Sequence, residues 1–175
     1  MVGTYGKINP ATPKLNLGAK QGTPDMGKMI AYMVTWTTYG SWLQGDKRGY
    51  VRDGETFGEN QALHTANVKR LKGKPAELTS RDRQIVREAI LNKADSIGQM
   101  IYALAVCSNH VHMVVENVSE PIEMMVSHYK NVARLALKAS GFVGRVWTRG
   151  FDKRFCFDRR QLAIRVRYVQ AHPRV

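Results

Sequence analysis

Cysteine is scarce in this chain: Cys107 and Cys156 are the only two among 175 residues. That excludes a disulfide-stapled secreted scaffold. No apolar run approaches the ~18 residues that span a bilayer, and the N-terminal residues lack the charged, apolar and small-residue regions of a signal peptide. A reduced, cytoplasmic protein without a membrane partner is the expectation. Acidic residues are also few, 14 against 27 Lys and Arg, for a formal net charge of +13. An imbalance of this size points to a polyanionic partner such as nucleic acid. The excess is concentrated near the C-terminus, where residues 145–175 carry nine basic side chains against Asp152 and Asp158.

Residues 1–28 alternate Gly, Pro and Lys without apolar period and read as a flexible arm, leaving 29–175 as one domain. The β-branched and aromatic run from Ile30 predicts a strand ending near Thr37, and the polar, glycine-rich stretch 44–60 predicts a long loop. A short helix is expected over Gln61–Leu71. A second follows a capping signal at Thr79 and Asp82, with Ile85, Ala89, Ile90, Ala94 and Ile97 on one face. Two apolar runs, 100–108 and 110–118, meet at Ser108-Asn109 and predict an antiparallel hairpin. Ser119 as N-cap and Pro121 in the first turn open a third helix, with Ile122, Met125, Val126, Tyr129, Ala133, Leu135 and Ala136 inward. Residues 146–157 read as extended with a break at Gly150, and Asp158 with Gln161 caps a last helix stopped by Pro173. Strand, helix, strand, strand, helix, strand is the ferredoxin-like order of an α+β fold. Its sheet is antiparallel, with helices on one face and the last helix as an addition.

Two of the five histidines, His110 and His112, stand at i and i+2 in the second strand of the hairpin. Side chains alternate across a strand, so both face one side. On the last helix Ile164, Tyr168 and His172 are spaced by four and share a stripe. A nitrogen from each of the three histidines could hold a divalent ion, leaving positions open for a substrate oxygen beside a phenol. A phenol can attack a phosphodiester whose charge such an ion neutralises.

These residues resemble a known family. The His110-Val111-His112 strand, the downstream Tyr168 helix and the opening YMVTWTTYGSWLQGDKRG are similar to the HUH single-tyrosine transposases, especially those associated with repetitive extragenic palindromes. The resemblance covers roughly residues 30–173. It implies a ferredoxin-like homodimer that cuts single-stranded DNA beside hairpins with Mg²⁺ or Mn²⁺, and hence a nucleoid-associated location. It further implies His110 and His112 as metal ligands and Tyr168 as the nucleophile, which forms a 5′-phosphotyrosine and releases a 3′-hydroxyl. Several members carry Gln as the third ligand one turn after the tyrosine; His172 stands there in this chain. WTTYGSWL shares the family look, with no chemistry attached to it by the sequence.

Arg165, Arg167, Arg154 and Lys153 are the candidate phosphate contacts. Tyr129 is a second candidate nucleophile, although its spacing puts it on an apolar stripe. Trp36, Trp42 and Trp147 could stack on unpaired bases. The alternative function is a ferredoxin-like module that holds hairpin DNA or RNA without cutting it.

Overall fold

The computed structural model describes residues 29–52 and 55–172. The arm expected over 1–28 and the stop at Pro173 lie outside the described residues.

Among the described residues, six strands and four helices follow in the order β1 (Ala31–Thr37), β2 (Tyr50–Arg52), β3 (Glu55–Phe57), α1 (Gln61–Lys69), α2 (Ser80–Ser96), β4 (Ile101–Val106), β5 (His110–Glu116), α3 (Ile122–Ala139), β6 (Asp152–Cys156) and α4 (Arg159–Gln170). The main sheet has the order β4-β5-β1-β6, and every neighbouring pair is antiparallel. Without the small β2-β3 hairpin and α1, this is the ferredoxin-like connectivity that the sequence predicts.

Alternation along the strands builds two different faces. Tyr32, Val34 and Trp36 of β1 join Val111, Met113 and Val115 of β5 under α2 and α3 in the main core. Each large apolar side chain fully buried there contributes about 1.5–3 kcal/mol. Two polar side chains in this core are paired with each other: the Tyr129 hydroxyl donates to Gln99 Oε1 at 2.6 Å, and Gln99 Nε2 donates to the Glu116 carbonyl at 2.8 Å, whereas the buried Trp36 indole N–H has no partner among the described residues. The opposite face is covered by α4, which packs Leu162, Val166 and Val169 over Met33, Ala103, Ala105 and Val114. Alanines on β4 let that helix approach the sheet closely.

Four local expectations change. Residues 44–60 are not one long loop, because β2 and β3 pair within them and stack Tyr50 on Phe57 at 5.3 Å. Pro121, not Ser119, occupies the N-cap of α3, and no side chain caps that helix. In α2 the buried positions are Val86, Ile90 and Ala94, whereas Ile97 is exposed. In α3 Leu137 is buried and Leu135 is exposed. The caps at Thr79 and Asp158 form as expected, the first with both reciprocal bonds. At Asp158 the return bond comes one residue early, from Phe157 N to Gln161 Oε1.

Candidate functional site

The paired histidines open β5, and their register places them on the α4 face. His110 lies opposite Thr37, His112 opposite Thr35 and Val114 opposite Met33 on β1; Ala105 of β4 flanks His112 on its other side. Between two strands, with an alanine as neighbour, His112 is only 7% exposed. Helix α4 crosses this face and delivers its C-terminal end to the same place, with Tyr168 on its last turn and His172 just past the Ala171 C-cap, not on the helix as the spacing predicts. The His172 ring centroid lies 4.4 Å from His112 and 5.9 Å from His110, and His110 lies 4.6 Å from His112. One nitrogen from each ring falls within 4.8 Å of the other two. Two nitrogens bound tetrahedrally to one ion at ~2.1 Å are ~3.4 Å apart, so small side-chain rotations bring the three rings to ligation.

The hydrogen bonds behind the rings favour that role. His110 Nδ1 meets Asn109 Oδ1 at 2.6 Å, His112 Nδ1 meets Thr35 Oγ1 at 2.7 Å, and His172 Nδ1 donates to the Tyr168 carbonyl at 2.9 Å. In all three rings the partner sits on Nδ1. Asn109 Oδ1 and the Tyr168 carbonyl only accept, so they hold the proton on Nδ1 of His110 and His172 and leave Nε2 its lone pair for a cation; the Thr35 hydroxyl is able to accept from His112 in the same way. Burial and the neighbouring imidazoles pull His112 down from 6.5 to about 4. Burial, then His172 and Arg48, pulls His110 down as well. Both rings are therefore neutral near pH 7, the form that binds metal.

Tyr168 completes the group. Its ring lies 4.8 Å from His172 and 5.5 Å from His112. It is 50% exposed, and its hydroxyl has no hydrogen-bond partner among the described residues. The cleft holding this group has a volume of about 270 Å³, and its walls add Thr35, Thr37, Ser41, Trp42, Arg48 and Asn109.

The chain is structurally similar to transposases. The REP-associated tyrosine transposase bound to a REP hairpin aligns at 15% identity and a TM-score of 0.49, over 89% of this chain and 73% of that one. A putative transposase from Deinococcus radiodurans R1 aligns at 14% identity and a TM-score of 0.42, over 90% of this chain and 100% of that one. No family model and no curated protein matches the sequence. At these identities the chemistry of the site is read from its own side chains.

The basic candidates are spread over both faces of the sheet. Arg154 shares the α4 face and pairs with Asp152 at 3.1 Å. Lys153 points the other way and pairs with Glu123 of α3 at 2.6 Å. Arg167 is exposed on α4, whereas Arg165 is half-buried against Cys156, where its charge opposes the rise that burial imposes on the thiol. Tyr129 is fully buried in the main core, on the side of the sheet away from the histidines, and desolvation pushes its hydroxyl up, so the structure gives it a packing role. His128 is paired with Glu120 at 3.6 Å. His64 borders a separate, wider depression of about 630 Å³ that has no second imidazole. Among the tryptophans, Trp36 and Trp147 pack edge to face in the core, 1% and 6% exposed, while Trp42 is 44% exposed at the cleft.

Sequence reasoning passed over Thr35 and Thr37, although their i, i+2 spacing on β1 mirrors that of the histidines. It also passed over Asn109, which looked like a turn residue only. Ser41 and Arg48 reach the cleft through the fold of their loop, which no local pattern reveals.

Proposed function

We propose that the protein is a divalent-metal-dependent HUH-type nuclease and strand transferase that nicks single-stranded DNA beside hairpins through Tyr168. The observation that carries this reading is the convergence of an exposed phenol, without a hydrogen-bond partner among the described residues, and three imidazoles whose Nδ1 atoms are all taken.

His110, His112 and His172 would hold the cation, which would supply Lewis-acid neutralisation of the scissile phosphate's charge. Thr35, Asn109 and the Tyr168 carbonyl keep the three rings turned for that contact. The Tyr168 oxygen attacks phosphorus in line and gives its proton to solvent water, which returns one to the departing O3′. The P–O3′ bond breaks, giving a 5′-phosphotyrosine and a free 3′-hydroxyl; attack by a second 3′-hydroxyl reverses the step and joins strands. Three imidazoles favour Mn²⁺ over Mg²⁺, which prefers oxygen donors. The net charge of +13 suits the phosphate backbone, with Arg154, Arg165, Arg167 and Lys153 as phosphate contacts. The working unit is a homodimer of residues 29–175, and its place is the cytoplasm, at the nucleoid.

The test is incubation of the protein with end-labelled, hairpin-flanked oligonucleotides and Mn²⁺, followed by a denaturing gel. A labelled band at protein mass that needs the metal is expected. Retention of the hairpins with no covalent band would mark a binding module instead.

A further inference from the structure

The WTTYGSWL motif runs from the end of β1 into the loop that follows, and the fold of that loop gives the motif a task. Thr38 N and Ser41 Oγ donate to the Asn109 carbonyl at 2.9 and 3.1 Å, which ties the loop to the residue preceding His110. The chain then turns back on itself at glycines. Gly45 has φ +91°, and a Cβ there would stand 2.4 Å from the Asn60 carbonyl oxygen; Gly49 has φ +80°, with the Phe57 carbonyl oxygen 2.8 Å from its Cβ position. Only glycine fits either position.

This folding immobilises Trp42. Its indole N–H donates to the Gly49 carbonyl at 2.9 Å, and the Arg48 guanidinium lies over the ring at 4.9 Å. Arg48 is itself held by Asp46, through two bonds of 2.7 Å, and by the Ser41 carbonyl at 2.8 Å. A large aromatic is thus fixed from several directions and still leaves 44% of its surface exposed, on the wall of the cleft that contains Tyr168. The other two tryptophans are core residues.

We infer that Trp42, backed by Arg48, is a rigid stacking platform for an unpaired nucleobase next to the scissile phosphate. This rests on the single-strand reading given above. Fixing the ring beforehand lowers the ordering cost of binding. Because the indole N–H is already spent on Gly49, the ring has no donor left to read base edges. The contact is therefore tolerant of base identity, as stacking on a π-face is.

The test uses the whole protein with dodecathymidylate and with an equally charged dodecamer of abasic sites. Emission collected on its long-wavelength side is weighted towards Trp42, since the buried Trp36 and Trp147 emit at shorter wavelength. Dodecathymidylate should quench that emission and the abasic strand should not. Trp42→Ala should weaken dodecathymidylate binding about 5- to 150-fold, the range that ~1–3 kcal/mol of stacking implies, and leave abasic binding unchanged. Trp42→Phe should restore most of the loss. Equal quenching by both strands overturns the inference, as does unchanged binding by a Trp42→Ala protein of normal melting temperature, or absence of dodecathymidylate binding. The covalent assay on hairpin-flanked strands separates this from the parent reading. An adduct with no Trp42 effect removes only the platform, and a base-dependent Trp42 effect without any adduct removes only the cleavage.

Discussion

Acidification of the metal-free protein should expose the cost of burying His112. The ring lies between β1 and β4 at 7% exposure, with two more imidazoles against it, and is held from 6.5 down to about 4. The folded state keeps it neutral while the unfolded chain takes up a proton below 6.5, so the stability is intact above pH 6.5 and is lost as pH falls towards 4. Each unit between the two pKa values is worth ~1.4 kcal/mol. The ceiling is therefore ~3 kcal/mol, with ~2 kcal/mol lost by about pH 4.5. Urea unfolding of wild type and His112→Gln at several pH values measures it. Asp46 and Glu123, whose carboxyls Arg48 and Lys153 hold down in the folded state, and His110, which burial lowers, also lose stability towards acid in both proteins and cancel in the difference. Over this window the variant should lose ~2 kcal/mol less than wild type. Parallel stability curves for the two proteins would refute the claim that burial keeps His112 neutral.

Thr35→Val removes the bond to His112 Nδ1 and should weaken Mn²⁺ binding about 10- to 100-fold by calorimetry, with little change in melting temperature. Gly45→Ala meets the Asn60 carbonyl oxygen at 2.4 Å in a left-handed conformation, and should lower stability by more than ~2 kcal/mol and loosen the Trp42 loop, seen as a lower urea midpoint. Tyr129→Phe strands Gln99 Oε1 in the core and should cost about 1–3 kcal/mol while the protein still forms its DNA adduct.

Strand placement was legible because period-2 alternation is local: His110 and His112 on one face and Val111, Met113 and Val115 on the other follow from spacing alone, and pairing with β1 preserves it. Tyr168 and His172 meet as their spacing suggests, although His172 stands past the Ala171 C-cap of α4 and not on the helix itself, with its ring folded back onto the Tyr168 carbonyl. Less legible were helix faces where apolar residues crowd: α2 offers both Ile97 and Val86, and the choice falls to Val86 because Ile97 lies at the C-cap, beyond the last turn against the sheet. Leu135 and Leu137 pose the same problem in α3. The β2-β3 hairpin was missed in a polar stretch, although Asp53-Gly54 between its strands is a hairpin signal. The cleft wall built by Ser41, Trp42 and Arg48 was out of reach. It depends on a loop folded over glycines and anchored to Asn109 from another segment.

The most direct test of the central claim is mass mapping of the covalent DNA–protein product after nuclease trimming and tryptic digestion. The nucleotide mass is expected on the peptide spanning residues 168–174, and should disappear in Tyr168→Phe. Nucleotide on the peptide that carries Tyr129, or an undiminished adduct in Tyr168→Phe, would contradict the claim.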